Sequence, residues 1–168
     1  TDFEIQVALD RAGYSPGSID GFTGPQTQAA LIAFQHNNGL KVTGIADMPT
    51  KQKLRLQKAA LVIRTITESE LTQVKPLGNS WTEKSQQESM AFESVLEMLA
   101  EQHHCSPRYL MRINPTIVWS SVKAYTSVIV PNTAMPSPAI RAALIHIQLA
   151  QRLLDVYDAD NKLVARFP

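Results

Sequence analysis

A glycine-bounded turn that leads into a helix is the feature that most constrains the fold of this chain of 168 residues. Gly21 and Gly24 bracket the turn, because glycine adopts positive backbone angles without a Cβ clash. Pro25 follows where the first helical position should be, since its ring already holds the required φ. The pattern recurs once at the same offsets: Gly21, Thr27 and Leu31, then Gly44, Thr50 and Leu54. Neither unit buries its apolar face alone, so we expect the two to pack together.

An earlier helix completes this unit and is stopped by Gly13. Its apolar side chains recur at helical spacing: Ile5, Ala8, Leu9 and Ala12. The helix after the first turn has an apolar face that ends at Phe34, and Gly39 is placed as its C-terminal cap, with Leu40 folding back on the last turn. Three short helices and two glycine turns predict a compact module over residues 1–58, near the lower size limit for an independent core.

Several short motifs in residues 1–58 agree in order and spacing with a known family: Leu9, Gly13-Tyr14, Asp20-Gly21-Phe22-Thr23-Gly24, Thr27, Ala30, Phe34-Gln35, Gly39-Leu40, Thr43-Gly44, Asp47 and Thr50. They resemble the peptidoglycan-binding domain, type 1. The resemblance implies a three-helix module that is attached to cell-wall hydrolases and transpeptidases. Such a module binds wall polymer and has no catalytic residues of its own.

The candidate ligand surface lies around the first glycine turn. Asp20 and Gln35 carry groups that can hydrogen-bond a sugar or a muropeptide, and Phe22 offers an apolar face. We predict ligand contact at six residues: Asp20, Gly21, Phe22, Gly24, Thr27 and Gln35. A purely structural role is the stronger alternative, because Asp20 can equally cap the turn and Phe22 can fill the small core.

Residues 59–133 predict a second module of a strand, two helices and a strand. These elements are expected near residues 65–67, 92–99, 107–113 and 128–130. A polar stretch at residues 72–90 separates the first strand from the first helix, and we interpret it as an insertion. Trp81 is its one large apolar residue. We interpret Trp81 as an anchor on a neighbouring domain, in preference to a sugar-stacking residue.

The second module resembles LysM over residues 63–132. The residues that carry this likeness are Leu99-Ala100, Cys105-Ser106, Leu110, Asn114 and Val128-Ile129-Val130-Pro131. The resemblance implies a small βααβ unit that binds glycans containing N-acetylglucosamine. The chain departs from the family at Tyr125, where glycine usually precedes the last strand, and at the insertion, where the usual Gly-Asp is absent. These departures favour an alternative function, a scaffold for protein–protein interaction without glycan affinity.

The sequence His103-His104-Cys105 could supply a nucleophile and base, or begin a zinc site. Adjacent side chains on a helix point about 100° apart, so they rarely face one reacting atom. Cys105 is also the only cysteine of the chain. We therefore assign no catalytic residue, no metal and no cofactor.

Beyond a stiff connector at Pro131, Pro136 and Pro138, the hydrophobic period changes to two. Strands are predicted at residues 144–149, 152–157 and 163–167, which form an antiparallel meander within residues 134–168. We expect an exposed apolar face on this tail: Ile145, Ile147, Leu153 and Phe167. A meander with one uncovered face is marginally stable. We therefore expect the tail to dock onto the second module, pair with another copy, or be among the least ordered segments.

The tail resembles the opening strands of an L,D-transpeptidase catalytic domain (YkuD or ErfK type). The likeness is carried by residues 147–153, 156–158 and 163–168. In that family a histidine base and a cysteine nucleophile stand in an arrangement His…Ser/Thr-x-Gly-Cys-x-Arg, which this sequence lacks. The resemblance therefore implies a chain that is not itself an enzyme, in front of a transpeptidase domain. A self-contained meander that closes the second module is the alternative.

Charge and hydropathy remove two classes of function. The formal net charge is +1 without a basic block, which argues against nucleic-acid binding. No apolar run is long enough to span a bilayer. Thr1 is not an initiator methionine, so we expect a mature chain whose secretory leader has been removed. The sequence thus predicts a multi-module α+β protein of the periplasm, cell envelope or extracellular space, whose partner is the glycan or stem peptide of peptidoglycan.

Overall fold

The computed structural model describes residues 1–75, 80–86, 91–134 and 141–168. The chain forms two compact units: Thr1–Ala60 with Asn132–Pro168, and Leu61–Pro131. It is an α+β protein with helices at the N-terminus and antiparallel strands at the C-terminus, as the sequence predicts. Most of the proline connector, including Pro136 and Pro138, and parts of the polar insertion lie outside the described residues.

The described residues form helices and strands in two sets. The helices are α1 (Asp2–Arg11), α2 (Pro25–Asn37), α3 (Met48–Lys53), α4 (Glu68–Leu71), α5 (Trp81–Ser85), α6 (Val95–Gln102) and α7 (Pro107–Ile113), with a 3₁₀ turn at Trp119–Ser121. The strands are β1 (Leu61–Thr65), β2 (Ser127–Pro131), β3 (Leu144–Gln148), β4 (Leu153–Tyr157) and β5 (Leu163–Phe167).

Helices α1, α2 and α3 close on a small core in the first unit. Leu9 and Leu31 are almost fully buried there, and the ring of Tyr14 packs edge-on against Phe34 with centroids 5.6 Å apart. Local signals set the helix ends. Helix α2 begins with Pro25 at its first turn, and its last residue, Asn37, is followed by Asn38 and by the predicted cap Gly39, which has a φ of +66°.

Strands β3, β4 and β5 form an antiparallel sheet in the same unit, in that order. The sheet is joined to the loop that follows α1. The amide of Ser15 donates to the carbonyl of Arg166 at 2.8 Å, and the amide of Arg166 donates to the carbonyl of Gly13 at 2.9 Å. Leu163 also packs against the helical core. The tail therefore docks onto the first helical module, an outcome that was not among the three alternatives expected from the sequence.

One face of the tail sheet is apolar and exposed, as predicted. The register places Ile147, Leu154 and Phe167 side by side. Ile145 is 55% exposed and Ile147 is 62% exposed. Leu153, which was predicted on this face, lies instead on the opposite face, because successive strand residues point to opposite sides.

In the second unit β1 pairs with β2 in antiparallel register, and α6 and α7 lie between them in sequence. The two strands and helices α6 and α7 follow the predicted order, but α4 and α5 were not predicted and β1 begins earlier than expected. Helix α6 begins at Val95 and not at Phe92, because Ser94 caps it by accepting from the amide of Glu97 at 3.1 Å. Phe92 forms a bridge with Val74.

Helix α5 lies in the polar insertion and begins at Ser80, whose hydroxyl accepts from the amide of Glu83. The side chain of Trp81 is 89% exposed. Its ring lies 5.8 Å from the ammonium of Lys84. The interpretation of Trp81 as an anchor on a neighbouring domain is therefore wrong, since an anchor would be covered.

Candidate ligand-binding site

The first glycine turn is held from inside by one buried side chain, Gln6 of α1. Its Oε1 accepts from the amides of Asp20 (3.2 Å) and Gly21 (2.8 Å). Its Nε2 donates to the carbonyl of Phe22 at 3.0 Å and to the hydroxyl of Thr27 at 3.3 Å. Both the oxygen and the nitrogen of the Gln6 side-chain amide have hydrogen-bond partners. Gln6 can therefore be buried at little desolvation cost while it holds the turn against α1.

The second glycine turn is held in the same way by Gln35 of α2, which is fully buried. Its Oε1 accepts from the amides of Thr43 and Gly44, both at 2.9 Å. Its Nε2 donates to the carbonyl of Ile45 at 2.8 Å and to the hydroxyl of Thr50 at 3.0 Å. Each turn is thus bound to a glutamine of the preceding helix.

The two buried glutamines extend the repeat that the sequence shows. The sequence predicted a role for Gln35, but Gln6 was not identified from it. Gln6 lies 15 residues before the glycine that it binds, whereas Gln35 lies 9 residues before its glycine. Because the loop after α1 is longer, the two glutamines do not align at one offset. Only the fold brings them into equivalent places.

The predicted site residues divide into an outer and an inner set. Phe22 is 64% exposed at the tip of the turn, and Asp20 is half-buried beside it. The carboxylate of Asp20 accepts from the amide of Phe22 at 2.9 Å, which is the turn-capping role considered as the alternative. Thr27 and Gln35 are buried and hydrogen-bonded within the core. The structure therefore brings Asp20, Gly21, Phe22 and Gly24 to one surface and places the other two beneath the turns.

The two glycines of the first turn differ in conformation. Gly21 has a φ of +86°, as predicted. Gly24 has a φ of −109°, so the prediction of a positive φ there is wrong. Gly24 is the N-cap of α2, where the backbone is extended, and an added Cβ would meet nothing within 4 Å.

A second exposed apolar residue stands at the matching place of the other turn. Ile45 is 65% exposed and follows Gly44 as Phe22 follows Gly21. Sequence reasoning did not single out Ile45, although the offset of the repeat could have identified it. The first unit thus presents two apolar tips, each on a turn fixed by a buried glutamine.

The glycine turns and the three helices lie in a segment that matches a known family. Residues 3–54 match the family described as "Putative peptidoglycan binding domain". This match indicates peptidoglycan binding and association with the cell envelope. It spans both glutamine-held turns and confirms the resemblance seen in the first module. A search of curated proteins found no match to the chain.

Burial sets the chemical state of two side chains in the His-His-Cys sequence of the second unit. Cys105 is buried, and burial raises the pKa of its thiol to about 12, so the thiol is neutral at physiological pH. His103 donates from Nδ1 to the carbonyl of Pro131 at 2.9 Å, and burial lowers its pKa. Among the described residues, no three His, Cys, Asp or Glu side chains gather as a metal site.

Tyr125, in the turn before β2, has an unusual backbone conformation. Its φ is +68°, a conformation that strains any residue with a Cβ. Its amide donates to the carbonyl of Ile66 at 2.7 Å, and its hydroxyl donates to the carboxylate of Glu68 at 3.3 Å. These bonds hold the strained turn before β2.

In the described parts of the chain, no helix is long and apolar enough to cross a bilayer.

Proposed function

We propose that this chain is the non-catalytic targeting region of an L,D-transpeptidase and that it holds the enzyme on the peptidoglycan it cross-links or anchors to. The observation that carries the binding role is the match of residues 3–54 to the peptidoglycan-binding domain. The family's His…Ser/Thr-x-Gly-Cys-x-Arg arrangement does not occur in the sequence. We therefore assign catalysis to another part of the parent protein, in the periplasm or outside the cell.

In this proposal the polymer contacts the outer surface of the first glycine turn. The exposed ring of Phe22 offers an apolar face to a sugar ring or a peptide methyl group. Gly21 and Gly24 have no side chains, so a ligand can approach their backbone groups closely. Asp20 supplies a carboxylate at the edge of the same surface. The buried members of the predicted set act as the support that keeps this surface in one conformation.

We propose the second unit as a LysM-like module that also binds glycan. Its support is the pairing of β1 with β2, with α6 and α7 between them, as in the βααβ order implied by the resemblance; the short helices α4 and α5 are additions to that order. Two weak sites on one chain raise the local concentration of the second contact, so their combined affinity exceeds that of either alone.

The tail supports the transpeptidase part of the proposal. Its strands β3, β4 and β5 form the antiparallel meander expected from that resemblance. Its exposed apolar residues, such as Ile145 and Ile147, suit a sheet that the remainder of a β-sandwich would cover. The proposal predicts that the gene encodes the family's histidine and cysteine arrangement beyond the codon for Pro168. A reading frame without it would remove the transpeptidase part and leave the binding part intact.

The second candidate function is a protein-interaction scaffold with altered wall-binding folds. The observation that favours it is Tyr125, whose strained backbone departs from the LysM pattern. Sedimentation with purified sacculi separates the two functions. A wall-binding chain sediments with the sacculi, whereas a scaffold without glycan affinity stays in the supernatant.

A matched pair of variants locates the binding surface in the same assay. Phe22→Ala should weaken sedimentation by about threefold to tenfold, as expected for the loss of an aromatic contact of about 0.5–1.5 kcal/mol. Leu149→Ala removes another exposed apolar side chain, 86% exposed, from the tail and should leave binding unchanged. Equal binding by both variants would place the polymer elsewhere on the chain.

A further inference from the structure

A cavity of about 220 Å³ opens in the first unit between the start of α2 and the turn that joins β3 to β4. Both sides belong to the same compact unit. Its wall includes Ser15, Gln26, Ala29, Gln151, Arg152 and Leu153. Pocket volumes for drug-sized ligands are about 300–1,000 Å³, so this cavity suits the end of a chain and not a whole ligand of that size.

The side-chain charge of the cavity comes from arginine. Arg152 and Arg166 line it together with Pro168, and no aspartate or glutamate side chain is among the described residues of its wall. Arg166 is already held by the carboxylate of Asp155, through Nε at 2.6 Å and a terminal nitrogen at 2.7 Å. Within the described ranges no carboxylate pairs with Arg152, whose side chain is exposed. Arg152 therefore offers an uncommitted planar cation to an anion.

The backbone at Arg152 is unusual for an arginine. Its φ is +54°, in the left-handed region where glycine or asparagine is preferred. Glycine would adopt this φ with less backbone strain than arginine, because it has no Cβ. The turn with this conformation places Arg152 on the wall of the cavity. Backbone outliers of this kind cluster at ligand-binding sites.

The remaining wall supplies the other features of a peptide site. The amide of Gln26 lies over Gly17, where any Cβ would collide with Gln26 Oε1, so the glycine leaves room for that side chain. Gln26 and Gln151 provide amide donors and acceptors beside the cation. Ala29 and Leu153 form a small apolar surface that suits a methyl side chain.

We propose that this cavity binds the C-terminal carboxylate of a short peptide that ends in a small apolar residue. Arg152 binds the carboxylate in a fork, as guanidinium groups do. The inference rests on the proposed function, because it assigns the stem peptide of peptidoglycan, and not its glycan, to this site. Pro25 lines the cavity and directly follows the glycine turn, so the site extends the predicted surface.

The test is a titration of the full chain, followed by amide chemical shifts, with acetyl-D-Ala-D-Ala as free acid, with its C-terminal amide, and with acetate. The free acid should shift the resonances of Ser15, Gln26 and Gln151, and the other two probes should bind at least about tenfold more weakly. Arg–carboxylate pairs of this kind contribute about 1.5–3 kcal/mol, equivalent to at least tenfold. Equal binding of the acid and the amide, or of the acid and acetate, would overturn the proposal.

Two variants and one control assign the effect to Arg152. Arg152→Gln should weaken binding of the free acid at least about tenfold. Arg152→Gly should do the same without lowering the melting temperature, since glycine relieves the positive φ. Arg55→Gln is the control, because Arg55 is also exposed with a φ of +52° but does not line the cavity. Unchanged binding in both Arg152 variants would refute the site.

Sacculus sedimentation keeps this inference separate from the proposed function. If the chain sediments with sacculi but does not bind the free acid, the wall-binding function is supported and the peptide site is refuted. If the chain binds the free acid but stays in the supernatant, the peptide site is supported and the wall-binding function is refuted.

Discussion

The helical module and the tail sheet of the first unit bury their apolar residues in opposite ways. The helices close on each other around Leu9, Leu31 and Phe34, and their two glycine turns are fixed by buried glutamines. The sheet leaves Ile145 and Ile147 exposed and depends on its other face and edge for contacts. The two segments therefore differ in how far each can fold alone, because the helices bury their apolar residues against one another whereas the sheet needs contacts from the helical module.

The largest effect should come from separating the two regions. Residues 1–58 expressed alone should melt cooperatively, since three amphipathic helices cover one another. Residues 134–168 alone should show no cooperative transition, because a small sheet with an exposed face is marginal in water. Thermal melts followed by circular dichroism test both fragments. A flat melt for 1–58 would mean that the helices need contacts from the tail, such as Leu163.

The next effect concerns the ion pair between Arg166 and Asp155. Arg166→Ala leaves the carboxylate of Asp155 buried without its guanidinium, which should destabilise the tail by about 3 kcal/mol. Hydrogen exchange at the amides of Ser15 and Arg166 would report the loss of docking. Arg141→Ala, at an exposed arginine of the same unit, is the control and should leave exchange unchanged.

The same pair predicts an acid dependence. The hydrogen bonds from Arg166 lower the pKa of Asp155 below its unfolded value of about 3.9. The stabilisation is therefore complete above that unfolded value and is lost as pH falls through the lower folded value. Exchange protection of the tail should stay constant from neutral pH down to about 5 and fall below about 4. In Asp155→Asn this dependence should be absent, and an equal acid loss in that variant would assign it to another group.

Within the helical module, the glutamine support should matter more than an exposed polar residue. Gln35→Ala leaves the amides of Thr43 and Gly44 without their acceptor and should cost about 2–3 kcal/mol in the free energy of unfolding. Gln28→Ala, on the exposed side of the same helix, should change stability by less than about 0.5 kcal/mol. Urea denaturation of both variants makes the comparison. If both variants lost a similar amount of unfolding free energy, the second turn would keep its conformation without the hydrogen bonds of Gln35.

The smallest expected effect distinguishes the two glycines of the first turn. Gly21→Thr should destabilise the module by more than about 1 kcal/mol, because its φ of +86° strains a β-branched residue. Gly24→Thr should be neutral or slightly stabilising, since threonine is a good N-cap and a Cβ meets nothing there. Melting temperatures decide between them. A loss at Gly24 equal to that at Gly21 would contradict the assignment of strain.

The sequence by itself determined most of the local structure. Helix α2 begins at Pro25 because proline presets the helical φ, and it ends just before Asn38 and Gly39 because glycine adopts the positive φ that commonly follows a helix. The strands of the tail follow from alternation of apolar residues, and α7 from the Ser106–Pro107 pair. Residues 3–54 could be matched to a family because such local rules recur at fixed spacing.

Only the tertiary structure decided which residues meet across the chain. Gln6 reaches Gly21 from another helix, and Arg166 binds the loop after α1 from more than 150 residues away. The cavity beside Arg152 likewise depends on residues from both ends of the unit. Such contacts depend on how the helices and strands pack against one another. Complementary surfaces and buried hydrogen bonds determine that packing, and the spacing of residues along the sequence does not reveal them.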